Sequence, residues 1–176
     1  MKKIACGTTL LLMLLLQMAA RAADCSNFTS PPKYAEGVFG DVIFCLDSSR
    51  AWAVLNDTDR NIPSLAMTRD RGKTWTVRYL EQSMYVPVSI FFLDKKHGWL
   101  TLSWALSTVN SPAYKLMQTR DAGVTWVELP SPPGAQGLFF TSVRSGCVIT
   151  EPGSNSHWIT KDGGQTWRQL VGEGCP

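Results

Sequence analysis

The chain has 176 residues, 18% of them charged and 44% hydrophobic. That composition excludes a low-complexity or disordered chain and suits a single folded domain. The formal net charge of +3 rests on Lys2, Lys3 and Arg21 of a leader; without them the 17 basic residues fall to 14, equal to the 14 acidic ones. No basic tract interleaved with aromatics remains, which excludes nucleic acid as a partner.

The leader is the first predicted element. Lys2-Lys3 precede an apolar run from Leu10 to Leu16, and Ala20-Arg21-Ala22 follows as an A-x-A cleavage site. Residues 1–22 read as a bacterial signal peptide, so the mature chain is expected in the periplasm or outside the cell. The run is too short for a transmembrane span, and no membrane insertion is expected once it is removed. Asp24 before Cys25 does not fit a lipobox. Cys6 leaves with the leader, and Cys25, Cys45, Cys147 and Cys175 remain. An even cysteine count in an exported chain predicts two disulfides. Three pairings exist; Cys25–Cys45 with Cys147–Cys175 would tie each tail to its nearest repeat, and spacing does not decide among them. There is no C-x-x-C, and His97 and His157 each stand alone, so neither a metal nor another cofactor is expected.

Residues 23–36 are polar, include Pro31-Pro32, and read as an extended lead-in. Residues 37–176 then form one β domain containing a unit repeated at about 37–81, 86–130 and 137–171. First strands are predicted at Val42–Leu46, Val88–Leu93 and Leu138–Val143. Polar turns follow at Asp47–Arg50, Asp94–Gly98 and Arg144–Gly146. Second strands are Ala51–Leu55, Trp99–Trp104 and Cys147–Thr150. Third strands are Leu65–Met67, Tyr114–Gln118 and His157–Ile159. Fourth strands are Thr74–Leu80, Thr125–Leu129 and Thr166–Leu170. Pro87, Pro130, Pro132 and Pro133 mark breaks between units. After the leader no run has helical periodicity.

Each third and fourth strand is joined by the same octet. It reads Thr68 to Trp75, Thr119 to Trp126 and Thr160 to Trp167, with the pattern T-[RK]-D-x-G-x-T-W. Asp70, Asp121 and Asp162 are suited to accept backbone N–H groups and hold a tight turn. Gly72, Gly123 and Gly164 suit a left-handed position. Thr74, Thr125 and Thr166, with Trp75, Trp126 and Trp167, restart the strand and plug the core, each indole N–H finding an acceptor.

The octet resembles the Asp-box, or bacterial neuraminidase repeat. The resemblance implies an all-β chain of three four-stranded antiparallel units, arranged as part of a propeller. Phe92-Leu-Asp-Lys-Lys-His-Gly-Trp99 is also similar to a blade opening of photosystem II assembly-factor repeats. Closed propellers have about four to eight blades. Three units therefore imply a ring completed by a second chain, edges covered by a partner protein, or three sheets around one core with disulfides holding the ends. In the family the box is structural and carries no chemistry.

Sialidases in this superfamily use an arginine triad, a Tyr nucleophile with a Glu, and an acidic Asp. The F/Y-R-I-P motif is missing here; the nearest text is Arg60-Asn-Ile-Pro63. Arg69 and Arg120 lie in octets and Arg168 just after one. Asp57, Asp59, Glu128 and Glu151 are scattered, and no G-x-S-x-G, phosphate loop or zinc-protease helix occurs. No catalytic residue is expected. Trp104 and Asn110, with Tyr85 just upstream, are candidate binding residues on loops of a rigid scaffold; otherwise Tyr85 and Trp104 pack between sheets. The chain thus reads as an exported, non-catalytic binding protein with a protein partner or a homodimeric assembly. The alternative is a glycan-binding module or a sialidase-like glycosidase.

Overall fold

A computed structural model describes residues 25–29, 42–57, 62–80, 85–104, 114–150, 156–172 and 175. The leader, most of the lead-in and Asn110 lie outside the described residues. The architecture is three four-stranded antiparallel meanders. Sheet 1 holds β1 (Val42–Cys45), β2 (Ala51–Asp57), β3 (Ile62–Thr68) and β4 (Thr76–Tyr79). Sheet 2 holds β5 (Tyr85–Phe92), β6 (Gly98–Trp104), β7 (Tyr114–Thr119) and β8 (Val127–Leu129). Sheet 3 holds β9 (Gly137–Phe140), β10 (Gly146–Ile149), β11 (Ser156–Thr160) and β12 (Arg168–Val171).

The first turn of each sheet is built from a short polar side chain. Asp47 Oδ1 accepts the N–H groups of Ser49 and Arg50, both at 2.8 Å. Asp94 Oδ1 accepts those of Lys96 at 2.7 Å and His97 at 2.8 Å. Ser142 Oγ does the same for Ser145 at 2.9 Å. These are local side-chain-to-backbone bonds that hold a turn without tertiary help.

The sheets stack face to face like blades, with first strands innermost: the Phe44 and Phe91 rings lie 5.3 Å apart, and those of Phe91 and Phe139 5.7 Å. One core cluster lies between sheets 1 and 2, around Trp52, Leu65, Phe92 and Leu102. A second lies between sheets 2 and 3, around Trp99, Leu116, Phe140 and Val148. Both joints share one contact. Trp52 of sheet 1 stacks on Phe92 of sheet 2 at 3.7 Å and 9°. Trp99 of sheet 2 stacks on Phe140 of sheet 3 at 3.6 Å and 6°. Each Phe lies across its own sheet from a glycine, Gly98 or Gly146. A Cβ at Gly98 would sit 2.6 Å from the Phe92 ring, so the ring needs that missing side chain.

Several boundaries differ from the sequence reading. Cys25–Asn27 form a 3-10 turn where an extended lead-in is expected. β4, β8 and β12 start two residues later than predicted, because Thr74, Thr125 and Thr166 spend their N–H groups on the octet Asp. β9 ends at Phe140 and its turn centres on Ser142, since the Ser142 hydroxyl, and not Arg144, organises the reversal. Pro87 is no break between sheets: it lies inside β5, where the register slips between Pro87 and Ser89. A bulge tolerates a residue that cannot donate to the ladder.

Candidate functional site

The octets form three nearly superimposable turns. In the first, Asp70 Oδ1 accepts Thr68 Oγ1–H at 2.8 Å and Thr74 N–H at 2.9 Å, while Oδ2 accepts Thr74 Oγ1–H at 2.6 Å. Thr68 Oγ1 in turn accepts Gly72 N–H at 2.8 Å. Asp121 and Asp162 repeat the set with Thr119 and Thr125, and with Thr160 and Thr166. Hydrogen bonds to the ionised form hold each carboxyl down. The Thr74 hydroxyl, then the Thr74 N–H and the Thr68 hydroxyl, bring Asp70 to about 2. The Thr125 hydroxyl and N–H bring Asp121 to about 2, and Thr166 drives Asp162 lower still. A carboxylate this firmly ionised, with both oxygens occupied, is poorly suited to acid–base work.

Two successive residues in each turn are left-handed: Arg71 and Gly72, Ala122 and Gly123, Gly163 and Gly164. The first of each pair donates its N–H to the first turn of its own sheet, at Ser49, Lys96 or Arg144 carbonyls. Octets and first turns therefore share one end of the stack. The octet indoles are part-buried at the edges of the clusters. Trp75 Nε1 donates to Thr29 O at 3.2 Å and Trp167 Nε1 to Pro130 O at 2.9 Å. Trp126 Nε1 is buried without a partner among the described residues.

Tyr85 and Trp104 lie at the other end of sheet 2. They face each other across β5 and β6, rings 5.2 Å apart and edge to face. The seven residues of β6 separate them from the octet end by roughly 20 Å. Tyr85 also packs on the first core cluster, whereas Trp104 remains 40% exposed. Lys115 Nζ stands 5.0 Å over the Tyr85 ring and 2.9 Å from Glu128 Oε2. Glu128, solitary in the sequence, is thus paired, and Lys115 joins a group that its sequence position did not single out. The only hint was strand parity: Lys115 on β7 and Glu128 on the adjacent β8 fall on one face of the sheet, and the long Lys115 side chain reaches across β6 to Tyr85.

The other candidates do not converge on them. Arg69, Arg120 and Arg168 sit in or beside separate octets, and Arg60 and Glu151 lie outside the described residues. His97 bonds Asp94 at 2.8 Å, and His157 Nδ1 is buried without a partner among the described residues. No group of metal-ligating side chains occurs among the described residues, nor any helix long and apolar enough to cross a membrane. A small cavity of about 90 Å³ lies between sheets 1 and 2, lined by Arg78, Leu80, Leu102, Met117 and Trp126. Sequence reading gave no sign of it, because its lining comes from two repeats. The cysteines bond as Cys25–Cys45 and Cys147–Cys175, with Cα separations of 5.7 and 5.8 Å.

Fold and turns together define a class: a propeller-like stack of Asp-box sheets. The BNR/Asp-box repeat family model matches residues 158–169, the third octet and its flanks. A solved structure described as YCF48 bound to D1 peptide is similar to this chain, with a TM-score of 0.54 and 26% identity. The match covers 73% of this chain and 40% of that one, so it spans less than half of that protein's length. No curated protein matches the chain at a significant level.

Proposed function

We propose that the chain is an exported, non-catalytic binding protein that captures a segment of another protein. The carrying observation is its likeness to a protein solved with a bound peptide. Residues 1–22 serve as the export leader in this reading, residues 37–176 are the binding domain, and the two disulfides suit an oxidising compartment. The octet end is consumed by turn-holding bonds, which leaves the opposite end for recognition. There Trp104 offers an exposed ring, Tyr85 backs it, and the Lys115–Glu128 pair borders it. Asn110 falls between β6 and β7 in the sequence, outside the described residues, and is assigned to the proposed surface by sequence position alone. Aromatic anchors of this kind dominate interface energetics.

The test is cross-linking in periplasmic extract with the secreted protein, followed by titration of the purified partner. Trp104→Ala is expected to weaken binding by roughly thirtyfold, the size of a typical hot spot. Equal affinity of the wild type and Trp104→Ala would remove this surface from the proposal. The exposed ring beside a carboxylate also suits a sugar, so a glycan array is the second arm. Saturable glycan binding lost in Trp104→Ala, with no protein partner, would replace the peptide reading.

A further inference from the structure

Strand register makes the three sheets comparable residue by residue. Cys45 pairs with Ala51, Phe92 with Gly98 and Phe140 with Gly146. One step along, Phe44 pairs with Trp52, Phe91 with Trp99 and Phe139 with Cys147. The stack at each internal joint uses the Trp of one sheet and the Phe of the next. Sheet 1 therefore has Cys45 where a preceding sheet's Trp would find its Phe. Sheet 3 has Cys147 where a following sheet's Phe would find its Trp. Both cysteines are disulfide-bonded, and both are buried. Ala51 fits the pattern too: its Cβ is allowed because no phenylalanine ring lies across from it.

The segment bonded to Cys45 also occupies a preceding sheet's place. Trp167 donates to Pro130 O, just beyond β8 of the sheet before it; Trp75 donates to Thr29 O. A Cβ at Gly123 would meet Leu65 of the preceding sheet, and one at Gly164 would meet Leu129; one at Gly72 would meet the Thr29 backbone. Thr29 N–H bonds Arg71 O at 3.0 Å. Behind this, Ala53, Leu55 and Ala66 are 0%, 2% and 0% exposed, although no sheet precedes sheet 1 among the described residues.

We propose that the outer faces of sheets 1 and 3 are the two halves of a latent head-to-tail interface between copies of this chain, held closed by the disulfides as caps. The occupant is a second copy, because at the internal joints the equivalent faces of neighbouring sheets meet in this way. Two devices keep the faces apart. The Cys25–Cys45 bond fastens the Cys25–Thr29 segment beside sheet 1, the Cys147–Cys175 bond ties Cys175 to sheet 3, and the Trp–Phe pair that would join the faces is replaced by cysteine on both sides.

The test opens one face at a time and restores the missing pair. One variant carries Cys25→Ser, Cys45→Phe and Ala51→Gly; the other carries Cys147→Trp and Cys175→Ser. Light scattering is expected to find the oxidised wild type monomeric and each variant alone monomeric. An equimolar mixture should yield a species of twice the monomer mass. The proposal is overturned if the wild type, with both disulfides confirmed by mass, already forms a dimer, or if two folded variants fail to associate. If either variant does not fold, hydrogen exchange on the wild type decides. A small dithiol reduces Cys25–Cys45 to two thiols, supplying two electrons and two protons and becoming a disulfide itself. Exchange at Ala53, Leu55 and Ala66 should then rise at least roughly tenfold while β7 and β8 stay protected. Uniform loss of protection, or none at Ala53, Leu55 and Ala66, would show that the bond does not cap this face.

Discussion

The repeated joint makes a quantitative demand on Gly98 and Phe92. Phe92 is 1% exposed and lies 3.7 Å from Trp52. Truncation to alanine is expected to cost about 3–5 kcal/mol from lost transfer energy and the cavity left behind. Gly98→Ala alone places a methyl 2.6–2.8 Å from three atoms of the same ring, which Trp52 prevents from retreating. Overpacking of that kind costs about 1–3 kcal/mol. The double variant should cost less than the sum by at least about 1 kcal/mol, because the methyl enters the space the ring has left. Sheet 1 already contains such a small pair in Cys45 and Ala51. Urea unfolding of the four proteins measures the cycle. Where Phe92→Ala leaves too little folded protein, Phe92→Leu carries the same comparison. Additivity within about 0.5 kcal/mol would refute the claim that the glycine exists to admit the ring.

The other expectations concern the turns and caps. Asp70 and Asp121 fall from 3.8 to about 2 on folding, so they stabilise the fold above about pH 4 and lose that effect as pH falls towards 2. Near-UV circular dichroism should place the acid transition in that window, and a transition complete above pH 5 would contradict the turn energetics. Ala122 has a φ of 66°, a conformation costing about 1 kcal/mol for a residue with a side chain. Ala122→Gly should therefore leave the melting temperature unchanged or raise it. Gly163→Ala should lower it, since its Cβ would lie 2.8 Å from Val143 O. The disulfides close loops of 20 and 28 residues, so replacing either pair with serine should cost roughly 3 kcal/mol by loop entropy. An unchanged urea midpoint in either serine pair would show that the cap is energetically idle.

The octets are legible because each is a local program. Thr68, Asp70, Gly72 and Thr74 bond one another within seven residues, so their bonds need no knowledge of the rest of the chain. The same locality explains the first turn at Asp47 and the errors at the fourth strands, where the turn takes two residues that propensity assigns to strand. What was not legible is contact between repeats. Trp52 and Phe92 are forty positions apart, and each alone is merely a buried aromatic. Lys115 is an ordinary strand lysine until β5 places Tyr85 beneath it. The bulge at Pro87 is hidden for a similar reason: a proline reads as a break unless the partner strand is known to slip.

Departures from the repeat therefore carry more information than the repeat itself. Residues common to the sheets — the octets and the Trp–Phe–Gly joint — solve the problem of stacking one meander on another. They hold this stack together, and they do not distinguish a peptide binder from a glycosidase. The departures fall in two places. Cysteines stand at the joint positions on the two outer faces. Trp104, Tyr85 and Lys115 gather at the end of sheet 2 that no octet occupies. On the two proposals, the first departure caps the stack and the second forms the recognition surface, so variants in the two places should separate cleanly. Opening a cap should alter assembly and stability, whereas Trp104→Ala should alter capture alone.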